Sequence, residues 1–241
     1  AIAIGDNAGR DVQGTDSIAI GHYAGSNRQN TEAIAIGHDA GTFTQGIEAI
    51  TIGHFSGHES QSAYAISMGY HAGELFQGTN AIAIGYQAGQ GTQGADAIAI
   101  GTNAGNDPQG ANAIAMGLSA GQTNQSASSV AIGENAGAQN QGSSSVAIGT
   151  SAGLTNQGTK CVAIGDHAGE NNQAFFGESS IAIGTSAGLT NQRADAIAIG
   201  TLAGSTNQGA TSVAIGISAG SNAQGSRCVA IGDHAGETSQ A

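Results

Sequence analysis

Hydrophobic positions in this chain come in short alternating bursts. Large aliphatic residues stand two apart with small residues between them, as in Ala1-Ile2-Ala3-Ile4, and each burst ends at a glycine. The burst returns at a fixed interval, in units beginning at residues 1, 17, 33, 49, 65, 81, 97, 113, 129, 145, 161, 180, 196, 212 and 228. Each unit has the form Ala-Ile-Ala-Ile-Gly-x-x-Ala-Gly-x-x-x-Gln. Two depart from the common length: the unit from Cys161 is longer, through extra residues at 174–177, and the last stops short at Ala241. Alternation with period two predicts a strand, and a unit this short cannot hold a pair of packed helices. Thirty of the 41 glycines fall at two places in the unit, as in Gly5 and Gly9, a spacing that a helix interior would not tolerate. A glycine at one place in every unit marks φ > 0 or a site too crowded for a Cβ. The chain therefore reads as an all-β parallel β-solenoid of fifteen coils, one repeat domain over residues 1–241, with no second domain or linker.

Stacked coils set equivalent residues about 4.8 Å apart, so each coil position becomes a column. Fifteen coils then predict a rod of roughly 70 Å. The columns headed by Ile2 and Ile4 are large and apolar throughout, with Met68 and Met116 in the second, and are expected to form the core. The alternate columns are small. Equivalents of Ala3 are Ala except at Thr51 and Ser67, and equivalents of Ala1 are only Ala, Ser or Cys. A strand with no solvated face is expected to be buried on both sides. Two arrangements would do this: a flattened coil whose second wall packs on the alanines, or close contact with another copy of the chain. Two Ile per coil offset little of the cost of ordering that coil's backbone, which favours the second.

Gln occupies one column without exception: Gln13, Gln29, Gln45, Gln61, Gln77, Gln93, Gln109, Gln125, Gln141, Gln157, Gln173, Gln192, Gln208, Gln224 and Gln240. Its amides can donate to the coil on one side and accept from the other, which predicts a structural ladder. Asn joins in the preceding column at Asn124, Asn140, Asn156, Asn172, Asn191 and Asn207.

Units such as Ala81-Ile-Ala-Ile-Gly-Tyr-Gln-Ala-Gly-Gln-Gly-Thr-Gln and Ser145-Val-Ala-Ile-Gly-Thr-Ser-Ala-Gly resemble the head repeats of trimeric autotransporter adhesins. They look closer still to the Ala-Ile-Gly-Tyr-x-Ala-Gly repeats of phage tail fibres and large-virus surface fibres. The resemblance covers the whole chain. It implies a left-handed β-roll, three copies side by side as a homotrimer, displayed extracellularly on a cell or virion surface and used for attachment to a host glycan or protein. The unit is longer than the usual adhesin head repeat, and no neck, stalk or anchor sequence is recognisable within residues 1–241.

Composition narrows the partners. With 9% charged residues, a net charge of −12 and only five Lys and Arg, the chain lacks the basic stripe that nucleic acid requires. Apolar runs of four residues are far short of the roughly 20 that span a bilayer, so no transmembrane segment is expected. There is no recognisable signal peptide, and the start at Ala1 in repeat register reads as part of something longer. No nucleophile–base arrangement or paired carboxylate stands out, so neither an enzyme nor a cofactor is expected.

Recognition must use the variable positions. Tyr23, Phe43, Phe55, Tyr64, Tyr70, Phe76 and Tyr86 are seven of the nine aromatics, and they fall together with His22, His38, His54, His58 and His71. Such a cluster is a candidate contact surface for a sugar or receptor, set against plain drift among repeats. His22, His38 and His54 share a column and are weak candidates for a metal, having no Cys or carboxylate in that column. Phe175 and Phe176 stand in the extra residues, expected to bulge as a local plug or a contact. Asp16, Glu32, Glu48 and Asp96 share a column without a calcium-repeat pattern and read as solvated charges. Cys161 and Cys228 share a column four coils apart, too distant to pair with each other. The alternatives to an adhesive fibre are a structural polymer growing head to tail and an ice-binding solenoid. The second needs flat Thr rows, and Thr123, Thr155, Thr190 and Thr206 are interrupted by Gln139 and Asn171.

Overall fold

The computed structural model describes residues 1–174 and 178–240. The fold is an all-β parallel β-solenoid of about fifteen turns. Among the described residues there is no helix, hence none long and apolar enough to cross a membrane. Phe175 and Phe176 lie outside the described residues. The chain divides into two compact units, Ala1–Thr123 and Asn124–Ala241.

In the first unit, strand Ile2–Ile4 pairs in parallel with Ile18–Ile20, with Ile2 beside Ile18 and Ala3 beside Ala19. The same register continues coil by coil to Ile98–Ile100 and Ile114–Met116. A second ladder of two-residue strands runs from Val12–Gln13 through Arg28–Gln29 to Thr92–Gln93. In the second unit the first ladder runs from Val130–Ile132 to Val229–Ile231. Val162 pairs with Ile181 across the longer coil, so its three extra residues leave strand register unchanged. The second ladder here is carried by Gln139–Gln141 and Thr155–Gln157, then by single bridges joining Thr155, Asn171, Thr190, Thr206 and Asn222.

The inward face is the reverse of the one expected. Ala19, Ala24, Ala35 and Ala40 form a fully buried cluster, and the Ala1, Ala3 and Ala8 columns are buried throughout the inner coils of both units. The Ile2 and Ile4 columns point outward. Ile18 and Ile20 are half-buried, and Met68 and Met116 are 38% and 40% exposed. The correction has a steric cause: the Gln side chain lies across the interior of its own coil. Nε2 of Gln29 donates to the carbonyls of Ile18 at 2.7 Å and Ala33 at 3.1 Å. A Cβ placed on Gly25 would lie 2.9 Å from Cδ of Gln29. Only small side chains fit beside that amide, Thr51 and Cys161 being the largest, so the small face turns in and the aliphatic face turns out. The alanines are therefore covered by the second wall of the same chain, the first of the two arrangements, and need no neighbouring copy.

The turns follow a simple rule. Gly5 has φ +131° and a Cβ there would lie 2.5 Å from the carbonyl oxygen of Gly21, so this corner excludes any other residue. Two further corners are left-handed without glycine, as at Asn7 (φ +55°) and Asp16 (φ +55°), and the first of these holds Tyr23, Phe55 and Leu202 in other coils. Left-handed backbone costs such residues roughly 1–2 kcal/mol each. The offsetting interaction is a hydrogen bond to the coil before: Tyr23 N–H donates to Asp6 O at 2.9 Å and Glu32 N–H to Thr15 O at 2.8 Å.

Candidate functional site

The Gln column runs through the interior. From Gln29 to Gln224 every member is buried, and Nε2 reaches back across the coil to a strand carbonyl, as Gln93 does to Ile82 at 2.8 Å. Neighbouring amides also join, Gln77 to Gln93 at 3.1 Å and Gln157 to Gln173 at 3.0 Å. The chain of amides is absent between the first coils, where Oε1 of Gln29 and of Gln45 has no partner. Gln45 donates to Thr51 Oγ1 at 3.3 Å, and Oε1 of Gln61 is left without a partner. It is interrupted beside the extra residues, where Gln173 donates to Ser180 O and Oε1 of Gln192 has no partner. In the second unit the Asn column forms an outer ladder, with Nδ2 to Oδ1 distances of 3.0 Å from Asn124 to Asn140 and from Asn140 to Asn156.

Most of the aromatic and imidazole residues in the first unit come together. His22, His38, His54, Tyr70 and Tyr86 form one stack along a single column, with successive ring centroids 4.7, 4.9, 5.3 and 5.3 Å apart. Tyr23, Phe55 and His71 occupy the adjacent left-handed corner and meet their neighbours in the stack edge-on at 4.3, 4.4 and 4.2 Å. His58 touches both Phe43 and Phe55. Tyr64 and Phe76 are exposed, and among the described residues they make no ring contact.

Carboxylates edge this stack. Asp39 lies 2.7 Å from Nδ1 of His38, Asp6 lies 3.6 Å from Nε2 of His22, and Glu74 holds Nδ1 of His71 at 2.6 Å while accepting from Gln90 at 2.7 Å. Nδ1 of His54 is buried without a partner. The three stacked imidazoles cover each other's faces, and among the described residues no group of three or more His, Cys, Asp or Glu is arranged to hold a metal ion. Stacking also leaves ring edges, not faces, to solvent within the column. Polar edge contacts are therefore what this surface offers, and a sugar ring finds no open aromatic face inside the stack.

A second feature of the first unit escaped the sequence reading. Asp11, Val12, Asn27, Arg28, Phe43 and Thr44 line a concavity of about 340 Å³ on the second ladder. Arg10 pairs with Asp11 through two contacts of 2.9 Å, and this hydrogen-bonded pairing holds the Asp11 carboxyl below its usual range. Among the described residues, the Arg28 guanidinium has no such partner. The available signal was scarcity: Arg28 is one of only five Lys and Arg in a chain of net charge −12.

In the second unit, Asp-His-Ala-Gly-Glu occurs twice, and Nδ1 of His167 and His234 meet Glu170 and Glu237 at 2.9 and 3.0 Å. The hydrogen bond to Glu237, helped by Asp233, raises the His234 pKa. Cys161 is buried and Cys228 half-buried, and the two are not joined in a disulfide. Comparison of the chain with protein-family models and with curated proteins gave no match.

Proposed function

We propose that this chain is a segment of an extracellular surface fibre that self-associates through its outward aliphatic face and presents its variable corners to a host glycan or protein. The observation that carries the reading is the outward Ile/Val face. In each unit it forms a continuous parallel ladder, and its members remain half-exposed even in inner coils, as at Ile132 and Ile148. Contiguous exposed apolar surface of this kind marks an interaction site. Ladder repetition makes it self-complementary along its length, which favours copies of the same chain lying side by side. The repeat resemblance supports three copies and an attachment role. The parallel coils and their internal amide ladder suit the stiffness a fibre needs.

Light scattering on the purified chain tests the assembly. The expected mass is three times 23.4 kDa, and replacing Ile132 and Ile148 by Glu is expected to return it to 23.4 kDa. A parent chain that stays at 23.4 kDa at micromolar concentration would remove the aliphatic face from this account.

A further inference from the structure

We propose that the concavity around Arg28 binds a carboxylate-bearing sugar ring. This rests on the attachment reading and names the ligand class for it. The register of the second ladder puts Val12, Arg28 and Thr44 side by side, with Asp11, Asn27 and Phe43 in the neighbouring column. The wall is thus a small array held by parallel strand pairing, which gives the side chains a rigid base. At about 340 Å³ the space suits one sugar ring.

Each group matches one part of such a ligand. Among the described residues, the Arg28 guanidinium, the Asn27 amide and the Thr44 hydroxyl have no hydrogen-bond partner. A guanidinium presents a planar fork that meets the two oxygens of a carboxylate together. Phe43 is 47% exposed, and its ring is set edge-on to His58 at 5.1 Å and 87°, which orients it while leaving much of its surface open. That apolar surface suits the C–H face of a pyranose, and the free amide and hydroxyl suit its ring hydroxyls. Asp11 does not cancel Arg28 because its carboxylate is engaged by Arg10. The acidic chain, at −12, disfavours a dianion such as phosphate, so a monoanionic, planar acceptor is preferred.

The test is a chemical-shift titration of the full chain with the methyl glycosides of glucuronic acid and N-acetylneuraminic acid, beside methyl glucoside and inorganic phosphate. A carboxylated sugar is expected to bind with a Kd on the order of a millimolar. Methyl glucoside and the Arg28→Gln variant should each bind about tenfold or more weakly. Phe43→Ala should weaken the sugars and not phosphate, and Arg193→Gln should change nothing. Whichever carboxylated sugar binds better identifies the source, uronic or sialic. Equal binding of methyl glucoside, or an unchanged Arg28→Gln titration, overturns the proposal. So does phosphate binding as tight as the sugars with Phe43→Ala silent, which would reduce the site to a bare cation. The light-scattering mass of the same samples reports the fibre reading separately, so a trimer without sugar binding defeats this site alone.

Discussion

The two units share their columns yet differ in the backbone of the second ladder. In the first unit the residue before each Gln is extended, and from Val12 to Phe76 its N–H donates to the next coil, as Arg28 does to Phe43 O at 3.0 Å and Thr44 to Glu59 O at 2.9 Å, while Pro108 has no N–H to give. In the second unit that residue is left-handed, with Asn156 at φ +55° and Asn191 at φ +56°, and its N–H donates to the coil before: Asn172 to Thr155 O and Asn191 to Asn171 O, both 2.9 Å. The donor has changed direction, while the Gln column keeps its place. Asn tolerates the left-handed region, whereas Pro108 in the first unit is barred from it by its ring. Ala223, at φ +53°, has no such preference and follows its Asn neighbours, so the stack imposes the conformation once several coils adopt it. A functional difference follows. The Asn amides of the second unit are engaged with each other, while the extended first unit leaves Arg28 and Asn27 free.

The largest expected effect tests what the units have in common. Gly85→Ala and Gly149→Ala each force a Cβ to within 2.6 Å of a carbonyl oxygen in the next coil, at φ +133° and +125°. Each should cost about 3 kcal/mol in urea denaturation. Clearly unequal losses would mean that the coils do not share one frame. Next in size are Gln93→Leu and Gln157→Leu, which strip the donor from the part-buried carbonyls of Ile82 and Val146. About 2–4 kcal/mol is expected in each unit, with faster amide exchange in the adjoining coils. Exchange rates left untouched would demote the amide ladder to filler.

The difference between the units is probed by a swap. Asn156→Thr puts a β-branched residue at φ +55° and removes its bonds to Asn140 and Asn172, so about 1–2 kcal/mol should be lost. Thr92→Asn in the first unit should stay within about 0.5 kcal/mol. Equal costs would show that residue type does not select the donor direction. The smallest effect is the pH dependence of His234. Its folded-state pKa is raised by Glu237, so the pairing stabilises below the ordinary imidazole value of 6.5 and is lost as pH rises through the raised value. An imidazole NMR titration should show a midpoint above 6.5 that falls in Glu237→Gln. No movement in that variant would remove Glu237 as the cause.

Much of this was legible from spacing. Ile2-Ala3-Ile4 announced a strand, Gly5 and Gly9 announced turns, and the unbroken Gln column announced a ladder, because stacking turns each coil position into a repeated local environment. The imidazole stack followed from the shared column of His22, His38 and His54, whereas its continuation into Tyr70 and Tyr86 required the ring positions. Arg28 was passed over because its significance lies in what surrounds it: Asp11 is engaged by Arg10, and Phe43 comes from the next coil. Nor does the sequence pattern reveal that Tyr23 and Phe55 sit in left-handed corners, since both residue types disfavour that region.

By itself the sequence determined the coil length, the strand positions, the parallel register and the sites where only glycine fits. All of these follow from periodicity and backbone sterics. Which face of the strand turns inward was decided only by the tertiary structure. An alternating strand reads the same whichever side is buried, and hydrophobicity alone would bury Ile2 and Ile4. The Gln side chain lying across each coil leaves room for Ala and not for Ile, so packing volume overruled hydrophobicity and sent the aliphatic ladder to the outside.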